Sequence, residues 1–265
     1  MGMPEMRNLR LTVEYDGRDF HGWQRQARER TVQGELEAAL SRVLQQRVTL
    51  YAAGRTDAGV HALGQVAHLH TENPLPPERL VAGCNALTGN DVVVLRAREV
   101  GPDFHARYAA HARHYVYLML DRPSALWRGR ATLAQAGLHL QRLNAAARYL
   151  MGQHEFAAFS CRSADEESTD SHVFYARWER WSRGVALRIG AVRFLYKMVR
   201  CIVGRSLEVG AGREAPERFA ALLRTPRERG RSIAPPDGCY LVAVDYDPRE
   251  AARWGPDCLP PWPVL

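Results

Sequence analysis

Lysine is almost missing from this chain. Of its 36 lysines and arginines, Lys197 is the single lysine. The positive charge is therefore arginine, which keeps its proton and grips phosphate through two parallel hydrogen bonds. Coding in a GC-rich genome gives the same bias, and the physical consequence holds either way. Cysteine is sparse as well. Cys84, Cys161, Cys201, Cys239 and Cys258 are scattered, odd in number and without a C-x-x-C pair. That pattern argues against a zinc knuckle and a disulfide framework, and a reducing cytoplasm is its simplest home. The opening "MGMPEMRNLR" has no apolar signal segment, and no run approaches membrane-spanning length. A P-loop, a dinucleotide-binding glycine set and a metal-ligand cluster are all missing.

What is present is an ordinary globular composition over 265 residues, 46% hydrophobic and 25% charged. That is enough apolar material for one large core or two smaller ones. The net charge of +7 and a pI near 9.4 suggest a polyanionic partner.

Periodicity organises the chain. Asn8–Tyr15 alternates Leu9, Leu11, Val13 and Tyr15 with polar residues, the mark of a half-buried strand. Thr31 is placed to cap a helix in which Val32, Leu36, Ala39, Leu40, Val43 and Leu44 share a face. Strands are expected at Val48–Ala53, Gln65–His70 and Asp91–Val100, with a helix from Pro76-Pro77 to Leu87. The first hundred residues thus read β-α-β-β-α-β. In the second half, strands are expected at His111–Leu120 and Cys239–Asp247, with a hairpin turning at Ser182-Arg183-Gly184. Helices are expected at Leu140–Met151, Leu195–Val209 and Pro216–Arg224, and loops at Ser160–Ser171 and Arg224–Gly238. The expected architecture is α+β, in two units divided as 1–105 and 106–265, each a sheet with helices on one face.

Three features carry chemistry. In "AGRTDAGVHALGQVAH" (Ala53–His68), small residues flank Asp57. They allow a tight turn and also leave room for a ligand. In "FLYKMVRCIVG" (Phe194–Gly204), Arg200 sits in an apolar run, where a cation must reach water or find a carboxylate such as Asp57. Tyr115 and Tyr117 share a strand face, as core residues or as a platform for a base. His68 and His70 also share a face, but no spaced third ligand accompanies them, so no metal is expected.

The segment "GRTDAGVHALGQVAH" resembles the signature of the tRNA pseudouridine synthase A family. The resemblance continues, in family order, through "EYDGRDFHGWQRQ", "TVQGELEAAL", "DFHARYAAHARHYVY", "GQHEFAAFS", "FLYKMVRCIVG" and "YLVAVDY". It implies that Asp57 is the catalytic aspartate, Tyr115 the active-site tyrosine and Arg200 the basic partner of the aspartate. Arg55 falls on the family's RNA-contacting arginine. The resemblance also implies two ferredoxin-like, RRM-like subdomains forming a mostly antiparallel sheet with helices on one face and a central cleft. It implies a homodimer that uses no cofactor and isomerises uridines in the anticodon stem-loop of tRNA. Two departures stand out. Ser168-Thr169 lacks the arginine usual in that segment, and Cys201 replaces the more usual asparagine.

That reaction breaks an N-glycosidic bond, turns the uracil and rejoins it through carbon. It asks for an ionised carboxylate, and a neighbouring arginine favours that form. An extruded base costs a few kcal/mol, of which an aromatic platform returns about 1–3 kcal/mol. Phosphate contacts supply the rest, with Arg25, Arg28, Arg30, Arg107 and Arg113 as candidates alongside Arg55, and the basic run Arg224–Arg231 as a further one. The alternative is a non-catalytic RNA-binding protein on RRM-like domains. A His-dependent phosphodiesterase would need a second copy of the single "HLHTE" segment.

Overall fold

The computed structural model describes residues 6–161, 168–225, 232–251 and 253–255. Most of the basic run Arg224–Arg231 and the centre of the expected Ser160–Ser171 loop lie outside the described residues, as does Cys258. The fold is α+β with largely antiparallel sheets, as expected. Two compact units form. Unit 1 runs to Ala110 and takes in Leu241–Val244, while unit 2 covers His111–Tyr240 and resumes at Asp245.

Unit 1 contains β1 (Arg7–Tyr15), α1 (Val32–Leu44), β2 (Tyr51–Ala52), β3 (His61–Thr71), α2 (Pro77–Asn85) and β4 (Val92–Val100). The strands lie in the order β4-β1-β3-β2, all antiparallel, with Leu241–Val244 of the last strand also beside β3. This is the spatial order of a ferredoxin-like β-α-β-β-α-β unit. Period-2 alternation sends Leu9, Leu11 and Val13, with Ala67 and Leu69, to the buried face. Leu36, Leu40 and Leu80 of the two helices are fully buried with them. Each such leucine contributes roughly 1.5–3 kcal/mol. Thr31 caps α1, its side chain accepting from the Gly34 N–H.

The strand expected at Val48–Ala53 shrinks to two residues, for a reason visible in α1. Glu37 accepts the Leu50 N–H at 2.9 Å, Ser41 accepts the Val48 N–H at 3.0 Å, and Gln33 donates to the Leu50 carbonyl. Helix side chains satisfy the backbone that a neighbouring strand would otherwise have paired.

Unit 2 contains β5 (Ala112–Leu120), β6 (Thr132–Leu133), α3 (Leu140–Arg148), β7 (Gly152–Glu155), β8 (Asp170–Trp181), β9 (Gly184–Ala191), α4 (Met198–Gly210), α5 (Arg218–Arg224), the two ends of β10 (Cys239–Asp245) and α6 (Pro248–Ala251). Its strands lie in the order β5-β9-β8-β7, with β6 parallel to the end of β5. The ends of β10 follow β5, since the His111 N–H donates to Asp245 and the Leu118 N–H to Gly238. Trp178, Tyr117, Phe156, Phe159 and Phe219 are fully buried in its core.

Two helices differ from the expectation. The helix expected to reach Met151 stops at Arg148, and β7 follows from Gly152, a strand too short and polar to announce itself. The helix expected from Leu195 begins at Met198, because Lys197 adopts a left-handed conformation with φ 61°. No helix among the described residues is long and apolar enough to cross a membrane.

Candidate active site

In unit 1, Asp57 lies on the loop joining β2 to β3. The Val60 N–H donates to the Asp57 carbonyl at 3.2 Å, closing a tight turn in which Gly59 takes φ 78°. A side chain would be strained there. The loop is clamped from several sides. The Trp23 N–H donates to the Thr56 carbonyl at 3.1 Å, and the Gly59 N–H to the Phe20 carbonyl at 3.3 Å. Thr56 is buried, its hydroxyl 2.7 Å from the Tyr15 hydroxyl, while Gln65 donates to the Gly54 carbonyl at 2.8 Å. Gly17 passes so close to Val60 that an added Cβ would meet the Val60 carbonyl oxygen at 2.1 Å. His61 Nδ1 accepts the Gly17 N–H at 3.1 Å and lies 3.2 Å from Asp16. Asp57 is half-buried and Arg55 is exposed.

The arginines after Trp23 do different things. Arg30 lies 4.1 Å over the Phe20 ring and pairs with both Asp91 and Glu35, each at 2.6 Å. That pairing raises Arg30 and holds Asp91 below the usual carboxylate range, in each case chiefly through their mutual hydrogen bond. Arg25 pairs with the nearly buried Glu37 at 2.9 Å. Arg28 and Arg107 are exposed.

Unit 2 holds Tyr115, Arg113 and Arg200. Tyr115 is half-buried on β5, its ring edge-on to Phe194 at 4.9 Å. Two residues on, Tyr117 is wholly buried and bonded to the Thr132 hydroxyl and the Pro235 carbonyl, both at 2.8 Å. Burial pushes the Tyr117 phenol above its ordinary range. Arg113 donates to the Val192 carbonyl at 2.7 Å. Arg200 occupies the first turn of α4. A cation there opposes the helix dipole, and that end of a helix favours an anion nearby. The side chain is aimed by a strap, residues 232–238. Arg200 Nε donates to the Ala234 carbonyl at 2.9 Å, and the Ala234 N–H returns a bond to the Arg200 carbonyl at 3.0 Å. Gly204, one turn further along, lets the strap approach, since an added Cβ would meet the Ser232 carbonyl at 2.4 Å. Next to Arg200, the Cys201 thiol is pushed up to about 12, first by burial and then by Cys161.

The sequence gives no signal for the strap or for the buried Tyr15–Thr56 pair, because both depend on segments far apart in the chain. Among the described residues, no group of three or more His, Cys, Asp or Glu is placed to hold a metal ion.

The fold and these side chains define a class of α+β protein in which a clamped acidic loop and a strapped arginine are carried on two similar units. Comparison with known proteins identifies the family. A model described as tRNA pseudouridine synthase matches residues 11–109 and 146–247. A tRNA pseudouridine synthase A of Methylococcus capsulatus is 40% identical over 266 residues, covering 94% of this chain and 98% of that one. Another, of Chlorobium luteolum, is 43% identical over 243 residues, covering 91% and 96%. A chain in the crystal structure of a Cbf5-Nop10-Gar1 complex is a looser likeness, with a TM-score of 0.33 at 14% identity over 75% of this chain and 54% of that one. The chain belongs to the tRNA pseudouridine synthase family, a family of isomerases. The reading as a non-catalytic RNA-binding protein finds no support.

Proposed function

We propose that this protein converts uridine to pseudouridine in the anticodon stem-loop of tRNA, with Asp57, Tyr115 and Arg200 as its catalytic residues. The observation that carries the reading is the Asp57 loop. Its backbone is bonded on both flanks, in a chain that belongs to a pseudouridine synthase family. Such rigidity presents a carboxylate at a fixed point, and pre-set geometry of this kind supplies much of an enzyme's rate.

In the reaction, the bond from N1 to C1′ breaks, a bond from C5 to C1′ forms, and the proton lost from C5 is balanced by one gained at N1. Asp57 acts as the anion, whether at the sugar or at the base. Arg200, in a helix turn whose dipole favours a negative neighbour, is its proposed partner. Tyr115 supplies the ring against which the extruded base rests. Arg55, Arg28 and Arg107, all exposed, are proposed to take tRNA phosphates, with Arg25 and Arg30 bracing the loop behind Trp23, while Arg113, buried and held on the Val192 carbonyl, is left out of that role. A homodimer working in the cytoplasm completes the reading.

The test uses unmodified tRNA carrying tritium at uridine C5, because bond formation at C5 releases that tritium to water. Wild type should release it with pseudouridine appearing in the anticodon arm. Asp57→Asn should release it at least about 1000-fold more slowly, with an unchanged thermal melt. Wild-type rates in a folded Asp57→Asn variant would defeat the assignment.

A further inference from the structure

The buried face of unit 1's sheet is apolar, but its other face is not. Residues directly opposite each other in antiparallel strands share a face. Arg10 of β1 faces Arg98 of β4 on one side and His68 of β3 on the other, and His68 in turn faces Tyr51 of β2. One row thus crosses four strands as Arg98, Arg10, His68 and Tyr51. In the next row Thr12 lies opposite Arg96.

The loop after β4 lies over this row. Asn8 holds it in place, donating to the carbonyls of Gly101, Pro102 and Phe104. The loop sets Phe104 beneath the Arg10 guanidinium at 5.8 Å and lays His105 against His68 at 4.6 Å. His68 also stacks on Tyr51 at 5.2 Å. His105 lies 4.4 Å from Tyr108 at an interplanar angle of 34°. The result is a ladder of rings, Tyr51, His68, His105 and Tyr108, with both ends open to solvent. Tyr108 is 77% exposed and Tyr51 46%. The interior rung at His68 is neutral, since burial and the neighbouring histidines hold it down to about 4, and burial lowers His105 as well. The charge around the ladder is positive. Arg96, Arg98 and Arg107 are exposed, and Glu99 is tied to Arg7 at 3.0 Å. Asp103 is the acidic neighbour on the loop.

Single exposed aromatics are common and need no explanation. A ring braced by a stack and ringed by arginines has the make-up of a nucleic-acid platform. Bases stack on the ring, and phosphates meet the guanidinium groups. We infer that this face of unit 1 is a second RNA contact, on which nucleotides other than the reacting uridine stack on Tyr108 while Arg96 and Arg98 take their phosphates. The inference rests on the proposed activity, because the RNA it engages is the tRNA substrate.

Fluorescence anisotropy of a labelled, unmodified tRNA transcript tests it, with pseudouridine counted in parallel samples. Tyr108→Ala should weaken binding about 5- to 150-fold, the range for losing one stacked base. Tyr108→Trp should restore it. Arg98→Gln should flatten log Kd against log salt by about 0.7–0.9, whereas Arg148→Gln, exposed on α3, should not. Wild-type affinity in Tyr108→Ala, together with a wild-type salt slope in Arg98→Gln, would overturn the inference. A wild-type protein that binds tRNA but forms no pseudouridine would instead overturn the activity reading, and the binding comparison would still stand.

Discussion

Both units set α-helices with antiparallel strands, and they place their chemistry on different kinds of element. Unit 1 carries Asp57 on the hairpin loop between β2 and β3, held by main-chain hydrogen bonds to Trp23, Phe20 and Val60. Unit 2 carries Arg200 on its second helix, and the side chain itself is bonded to the strap at Ala234. The difference follows from side-chain length. A short carboxylate goes where its backbone goes, so fixing the loop fixes the acid. An arginine has a long flexible stem, so fixing its backbone leaves the guanidinium free to swing unless a second contact holds it.

The largest effect that would break this comparison is on turnover. Arg200→Met keeps the apolar stem and removes the charge. It should slow tritium release about 100- to 1000-fold, as loss of a preset electrostatic group does, while tRNA affinity falls little. Next come two matched glycines. Gly17→Ala forces a Cβ against the Val60 carbonyl, and Gly204→Ala forces one against the Ser232 carbonyl. Each should cost about 1–3 kcal/mol in urea unfolding. Gly17→Ala should also disturb the Asp57 loop, and Gly204→Ala the Arg200 strap, so both should lose more activity than stability alone explains.

The units should also part company in acid. His68 titrates near 4 in the folded chain, against 6.5 for a free imidazole. Its Nδ1 lies 3.2 Å from both the Ala106 N–H and the Tyr51 carbonyl, and burial is the main cause of the downward shift. Below pH 6.5 an unfolded chain therefore takes up a proton that the folded chain refuses. The stability from neutral His68 is whole above that point and drains away as pH falls toward 4, at up to about 1.4 kcal/mol per pH unit. In unit 2, Asp245 is half-buried. Burial pushes its carboxyl upward, but hydrogen bonds from His114 and Trp254 outweigh it, and the net shift is below 3.8. Its contribution is present above 3.8 and is lost only at lower pH. Urea melts from pH 7 to 3 should show the first loss, and His68→Asn should remove it. The smallest effect belongs to Tyr15→Phe, which deletes the partner of the buried Thr56 hydroxyl. It should lower stability by about 1 kcal/mol.

Much of unit 1 was legible because its signals are local. The alternation through β1, the Thr31 cap and the small residues around Asp57 each act over a few positions. The exceptions are instructive. Val48–Leu50 has strand composition, yet Glu37, Ser41 and Gln33 take its backbone, a contact between segments that no window of sequence contains. In unit 2, the four residues of β7 pair with β8 without any alternation to mark them. Lys197 delays the start of α4 through its own φ, although Leu195 and Met198 close by are good helix formers.

The sequence by itself determined the β-α-β-β-α-β run of the first hundred residues, the acid in its small-residue turn and the arginine in its apolar helix, because composition and spacing within one element suffice for these. Tertiary structure decided what holds each of them: the Tyr15–Thr56 pair, the strap across α4 and the ring ladder beneath Tyr108. Those contacts join residues tens of positions apart, and a hydrogen bond or a ring stack is set by distance in space, which only the folded chain defines.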